Sequence, residues 1–173
     1  MIKSWISRFI VAAITLNGMI SNAFASDATL TIKEAVWTSG VSEMKYTDRL
    51  GERTQQRGIS LWTLVEGDQA SLDLLEKQGK FPLRHSWKHY LGAIPDLETL
   101  IPRDAISLGV GKAELINDLR MEAKMRGGRF DWRTWSSKKN LEPGNWIVEI
   151  LYKDGTPVAC ATGPCVYTIL VER

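Results

Sequence analysis

The chain has 173 residues, with 22 Lys and Arg against 20 Asp and Glu, and 44% of its residues are hydrophobic. That length suits one domain with a real core, and the charge balance gives no support for nucleic-acid binding. No internal repeat or low-complexity tract is present, which sets solenoids and disordered linkers aside.

The first 25 residues have the layout of a secretory signal peptide. Lys3 and Arg8 form a positive start, Phe9 to Ile20 a short apolar stretch, and Ala23-Phe24-Ala25 a small-x-small cleavage site. The apolar stretch is broken by Asn17 and Gly18 and is shorter than the roughly 20 residues a spanning helix needs. The chain is therefore expected to be no integral membrane protein. The absence of a Cys beside the cleavage site argues against a lipid anchor. The mature chain would start at Ser26 and be periplasmic or secreted. Without Lys3 and Arg8 it carries 20 basic residues against 20 acidic ones, so the whole-chain pI overstates its basicity.

From there the dominant pattern has period two, which predicts strands. LTIKEAV places Leu30, Ile32 and Val36 on one face. ISLWTLV places Ile59, Leu61 and Val65 on one face and Trp62 and Leu64 on the other. LRHSWKH aligns Leu83, His85, Trp87 and His89. RFDWRT aligns Phe130 and Trp132. NWIVEILY aligns Trp146, Val148, Ile150 and Tyr152, with Ile147 and Leu151 opposite. An Asp-Gly turn in KDGT then predicts a hairpin, and CVYTILVE is the last strand. Short helices are expected over SLDLLEKQ and over PDLETLI, which runs from Pro95 to just before Pro102. AELINDLRMEAKM is made of helix formers, yet apolar and charged residues alternate strictly from Leu119 to Arg126, which reads as a strand. Seven or so strands in a mature chain of this length predict an all-β fold. The expected form is an antiparallel immunoglobulin-like β-sandwich over 26–173, with one or two short helices in insertions. The segment Ala93 to Gly111 reads as such an insertion.

Cys160 and Cys165 flank ATGP. In an oxidising compartment such a pair bonds, and the Gly-Pro turn places the disulfide at a hairpin tip. The spacing does not match the C-x-x-C redox motif.

Four stretches in order carry a family resemblance: VWTSGVSEMKYTDRL, ISLWTLVEGD, LRHSWKHYLG and RGGRFDWRTWSSKKNLEPGNWIVEILYKDGTPV. From about Ala28 to Val158 the chain resembles an uncharacterised bacterial family, domain of unknown function 2914. The segment Ala93 to Gly111 is longer than that family's pattern, and the disulfide segment looks like an addition. The resemblance implies the fold and export. It brings no activity, so it implies no catalytic residues.

Candidate chemistry must then come from the residues. His85 and His89 on one strand lie about 13 Å apart, at roughly 3.3 Å per residue, too far to share one metal ion. They read as structural or partner-contact residues. No metal site or cofactor is expected. Ser136 and Ser137 precede Lys138 and Lys139. A Ser-Lys pair can be a nucleophile and base, but a solvated lysine keeps its proton, and Ser136 reads as a turn cap between strands. Asp131 sits between Arg129 and Arg133 and reads as neutralised by them. Glu142 reads as an exposed loop residue.

The sharper signal is basic. Arg120 to Lys139 holds seven cations against Glu122 and Asp131. With Leu119–Arg126 and Arg129–Trp135 as adjacent strands, Arg126, Arg129, Arg133 and Trp135 would share the outer face, opposite Phe130 and Trp132. Guanidinium groups beside an indole suit a sugar or an anionic polymer. Trp132 and Trp146 read as core anchors, each contributing about 2–3 kcal/mol through apolar burial. The reading is a non-enzymatic exported module that binds an envelope protein or an anionic or sugar polymer. Its alternatives are a hydrolase of envelope polysaccharide and a purely structural accessory domain.

Overall fold

The computed structural model describes residues 29–79, 83–93, 104–107 and 113–173. The expected signal peptide, the expected start at Ser26 and the expected PDLETLI helix lie outside them. Along the chain run β1 (Leu30–Thr38), β2 (Val41–Ser42), β3 (Lys45–Tyr46), β4 (Arg53–Thr54), β5 (Ile59–Asp68), α1 (Gln69–Gln78) and β6 (Leu83–Tyr90). They are followed by β7 (Asp104–Ser107), α2 (Ala113–Met125), β8 (Arg129–Lys138), β9 (Gly144–Tyr152), β10 (Ala159–Cys160) and β11 (Val166–Val171).

The strands form two layers. One sheet has the order β10-β1-β5-β8, the other β4-β11-β9-β6-β7, and β2-β3 is a separate hairpin. Pairing is antiparallel except at two short edges, where β10 runs parallel to β1 and β4 parallel to β11. The expected insertion thus contributes an edge strand, β7, paired to β6. The layers meet over tryptophans. Trp37 of β1 packs edge-on against Trp87 of β6 at 5.5 Å, and Trp87 packs against Trp146 of β9 at 6.3 Å. The Trp37 indole N–H donates to the Thr168 carbonyl of β11 at 3.1 Å. Leu61, Val65, Phe130 and Trp132 of the first sheet and Leu83, Val148 and Ile150 of the second complete a shared core. The alternation read from β5, β6, β8 and β9 therefore holds.

On β1 it does not. The β1–β5 register shifts between Ile32 and Glu34, so Ile32 faces Val65 while Val36 faces Trp62. A bulge adds one residue and exchanges the faces of everything after it. Val36 is thereby buried on the outer face with Trp62, and Trp37 takes the core position.

The strand expected from Leu119 to Arg126 is a helix, α2. Leu119 and Ala123, one turn apart, are buried, with Leu115 and Ile116 packed against the same core. Met121 and Met125, which completed the alternation, are 59% and 76% exposed. Local helix propensity and one apolar stripe outweigh a period-two coincidence. α2 packs on α1 and β8. α1 forms where expected: the Asp68 carboxylate caps it by accepting from Ser71 N–H at 2.8 Å, and Gly79 ends it at φ 69°.

The KDGT turn closes as expected, with Gly155 at φ 95° and the Tyr152 amide donating to the Thr156 carbonyl. The returning chain touches β9 only briefly and then crosses to pair with β1. The disulfide Cys160–Cys165 is present, but it closes no hairpin. Cys160 ends β10 in the first sheet, and Cys165 immediately precedes β11 in the second. The bond pins the corner where the chain changes sheets. Replacing both cysteines by Ser is expected to cost about 2 kcal/mol on the chain-entropy scale for so short a loop, read as a lower urea midpoint at unchanged m. An unchanged midpoint refutes that role.

Candidate functional site

β8 is the outermost strand of the first sheet, and its alternation divides its side chains. Phe130, Trp132, Thr134 and Ser136 point inward and are buried. Arg129, Arg133, Trp135 and Ser137 point outward and are exposed. Trp135 is 38% exposed and stands directly opposite Trp62 of β5. Trp62 is itself buried on that outer side because the β2-β3 hairpin lies over it. Its indole N–H donates to the Met44 carbonyl at 2.9 Å, and the Tyr46 ring packs edge-on against it at 5.1 Å.

That hairpin turns at Glu43 and Met44, both left-handed, with φ 49° and 62°. Asn and Gly usually supply such a turn, so Glu-Met gave no turn signal in the sequence. The bond from Trp62 helps hold it. Arg49 lies over Tyr46 at 5.4 Å and pairs with Glu34 at 2.7 Å. The outer face thus carries exposed Trp135 and Met44 backed by Trp62 and Tyr46. Trp62 was legible as outward-facing, but nothing in the sequence linked Met44 and Tyr46 to it.

The four basic-face residues do not form one equal set. Arg126 lies in the turn after α2, not on a neighbouring strand. It pairs with Glu122 at 2.6 Å and Asp131 at 2.8 Å, and lies 3.6 Å from Glu66. Its hydrogen bonds to Glu122 and then Asp131 hold its pKa above the ordinary arginine value. Arg129 pairs with Glu66 at 2.9 Å. Arg126 ties the end of α2 to the sheet, and Arg129 ties β8 to β5. Asp131 is neutralised by Arg126 rather than by its strand neighbours. Arg133 is exposed and forms no ion pair with a described residue. Arg133 and Trp135 remain together as a cation beside an aromatic ring.

Ser136 is not a turn cap. It lies within β8, 3% exposed, and its hydroxyl meets His85 Nδ1 at 2.7 Å. It also accepts from the Trp87 indole N–H at 2.9 Å. A Ser-His contact of this length resembles a nucleophile and its base. Here both groups lie between the sheets, where His85 is fully buried and its Nε2 has no hydrogen-bond partner among the described residues. Burial lowers its pKa to about 3, so it is neutral and structural.

His89 stacks on Trp146 at 4.5 Å, with Nε2 at 3.1 Å from the Pro143 carbonyl and Nδ1 at 3.8 Å from the Glu142 carboxylate. Both histidines are thus built into side-chain contacts, as their alternation suggested. Gly144 must be glycine: at φ 133°, a Cβ would lie 2.7 Å from His89 Nε2 and 2.9 Å from the Tyr90 carbonyl oxygen. The Trp132-to-Trp146 stretch is therefore a strand end, a polar connection and the start of the next strand, and of its three tryptophans Trp135 is the one turned outward.

The model of the family described as protein of unknown function, DUF2914, matches residues 115–161. That span runs from α2 through β8 and β9 to the disulfide corner, and the resemblance read from the closing block is found there. No curated protein and no solved structure matches the chain. Among the described residues, no helix is long and apolar enough to cross a membrane.

Proposed function

We propose that this chain is an exported, non-enzymatic β-sandwich module of the bacterial envelope. It binds its partner on the outer face of the first sheet, with Arg133 and Trp135 making the primary contacts. The observation that supports this most is their juxtaposition. An exposed indole stands beside a cation that forms no ion pair with a described residue, on a face stiffened by Trp62 and Tyr46. A rigid aromatic next to a guanidinium group is a low-entropy contact for a sugar ring or an anionic group. Arg126 and Arg129 serve at the rim, since any ligand must compete with Glu66, Glu122 and Asp131 for them.

Binding is favoured over hydrolysis of envelope polysaccharide by what the nearby carboxylates do. Hydrolysis needs two of them free to face a glycosidic bond. Glu66 holds Arg129 and Lys33, Glu122 and Asp131 hold Arg126, and Asp68 caps α1.

Replacing Trp135 by Ala is expected to lower retention of the protein on a sedimented envelope fraction by about tenfold, the effect of one contact worth about 1.4 kcal/mol. The urea midpoint should stay close to that of the parent protein. Arg133→Ala should act in the same direction. Retention unchanged in both variants would overturn the assignment of this face.

A further inference from the structure

We propose that the outer face continues onto an open backbone edge, and that the partner is an extended acidic segment of an envelope protein that adds to β8 as a further strand. This rests on the binding face proposed above and names the class of its partner. β8 ends the sheet order, so one side of it has no neighbouring strand among the described residues. The Asp131 amide donates to the Glu122 carboxylate, away from β5. Backbone groups in an antiparallel strand alternate in direction, so the amides and carbonyls of Arg133, Trp135 and Ser137 point out of the sheet as well. None of these three has a backbone partner among the described residues beyond the ladder. Among the described residues the edge is therefore closed by Glu122 at its α2 end and open from Arg133 onward.

An open edge is a template for strand addition, and this one has a charge preference. On the outer face from Arg133 to Ser137 the chain carries Arg133 and no acid, and Lys139 follows just beyond the strand, while Lys138 has the opposite parity and lies over Trp146 of the second sheet. Its outward cross-strand neighbours, Leu64, Trp62 and Ser60, bring none either. An incoming strand with acidic side chains on that face would meet these cations, while an apolar residue on the same face would lie against Trp135. A second copy of β8 would instead bring two cationic stretches together, which disfavours self-pairing.

The test uses a synthetic nine-residue peptide alternating Glu with Val, and the same peptide with alternate backbone amides N-methylated. Amide hydrogen exchange and NMR shifts on the whole protein should report the amides of Arg133, Trp135 and Ser137 as newly protected by the first peptide. The methylated peptide should bind at least tenfold more weakly, as should a version with Gln for Glu. Ser137→Pro removes one outward donor and no ladder bond to β5, though it also loses the hydroxyl contact with Ser60, and should abolish peptide binding, whereas Ser137→Ala, which loses that contact and keeps the amide, should bind as the parent does.

Equal binding of the methylated peptide, or unperturbed amides at all three positions, overturns the inference. So does a dimer in light scattering with those amides already protected. Envelope retention lost in Trp135→Ala but kept in Ser137→Pro leaves the binding face standing, points to a polysaccharide on that face and rejects the strand edge. Retention kept in Trp135→Ala rejects the face itself.

Discussion

Replacing Trp87 by Ala is expected to lower the unfolding free energy by about 3–5 kcal/mol, the cost of a buried aromatic that leaves a cavity. Trp87 is fully buried between Trp37 and Trp146. Its loss also removes the N–H that Ser136 accepts in the core, and leaving a buried hydroxyl short of a partner adds to the cost. Against a total stability of about 5–15 kcal/mol for a domain, this is a large share. Urea denaturation measures it. Trp87→Phe, which keeps most of the ring volume and loses the hydrogen bond, should fall between the parent and Ala. A Trp87→Ala protein within 1 kcal/mol of the parent would mean that the two sheets do not depend on this contact.

The second large effect is acid sensitivity through His85. Its folded-state pKa, about 3, lies below the ordinary value of 6.5 because burial penalises the imidazolium. As pH falls, the unfolded chain takes up the proton first. Stability from this group is therefore full above pH 6.5 and declines with acid down to about pH 3. The slope is about 1.4 kcal/mol per pH unit, so roughly 2–3 kcal/mol should be lost between pH 6.5 and 4.5. Asp48, Asp68 and Asp154 have lowered pKa values and destabilise in the same direction, but only around and below their ordinary 3.8. The window above pH 4.5 thus separates His85 from those three carboxylates. Urea midpoints measured from pH 7 to 4.5 should show the slope in the parent, and His85→Gln should flatten it. A parent curve that is flat over that window, or a slope that survives in His85→Gln, contradicts the assignment.

Alternation was a sound guide wherever one strand face meets the core throughout its length. Phe130, Trp132 and Trp135 fell on the sides their parity indicated because β8 has no bulge. Parity failed on β1 because one inserted residue re-aimed everything after it, and a bulge leaves no mark in a stretch such as LTIKEAVWT. It failed on α2 for a different reason. Four apolar residues spaced by two also include an i, i+4 pair, and only packing against α1 and β8 decided that Leu119 and Ala123 would be buried while Met121 and Met125 would not. The cysteine pairing was legible from spacing and compartment. Its place at a change of sheets was not, because the parallel partner of β10 lies over 120 residues earlier in the chain. The candidate face was half legible. Trp135 and Arg133 followed from parity, whereas the partners that engage Arg126 and Arg129 and the hairpin over Trp62 are long-range contacts.

That long-range closure at the corner has a consequence for the order in which the chain can fold. β1 lies near the start of the described residues, yet its outer edge pairs with Ala159 and Cys160, and its Trp37 indole bonds to Thr168. β4 likewise waits for Leu170 and Val171. Neither layer is complete until residues 159–171 are available, and contacts of such separation are slow to form. A nascent chain therefore has no finished sandwich to resist threading. For a protein that we propose to be exported, the topology itself delays closure of the sandwich until the segment from β10 to β11 has been made.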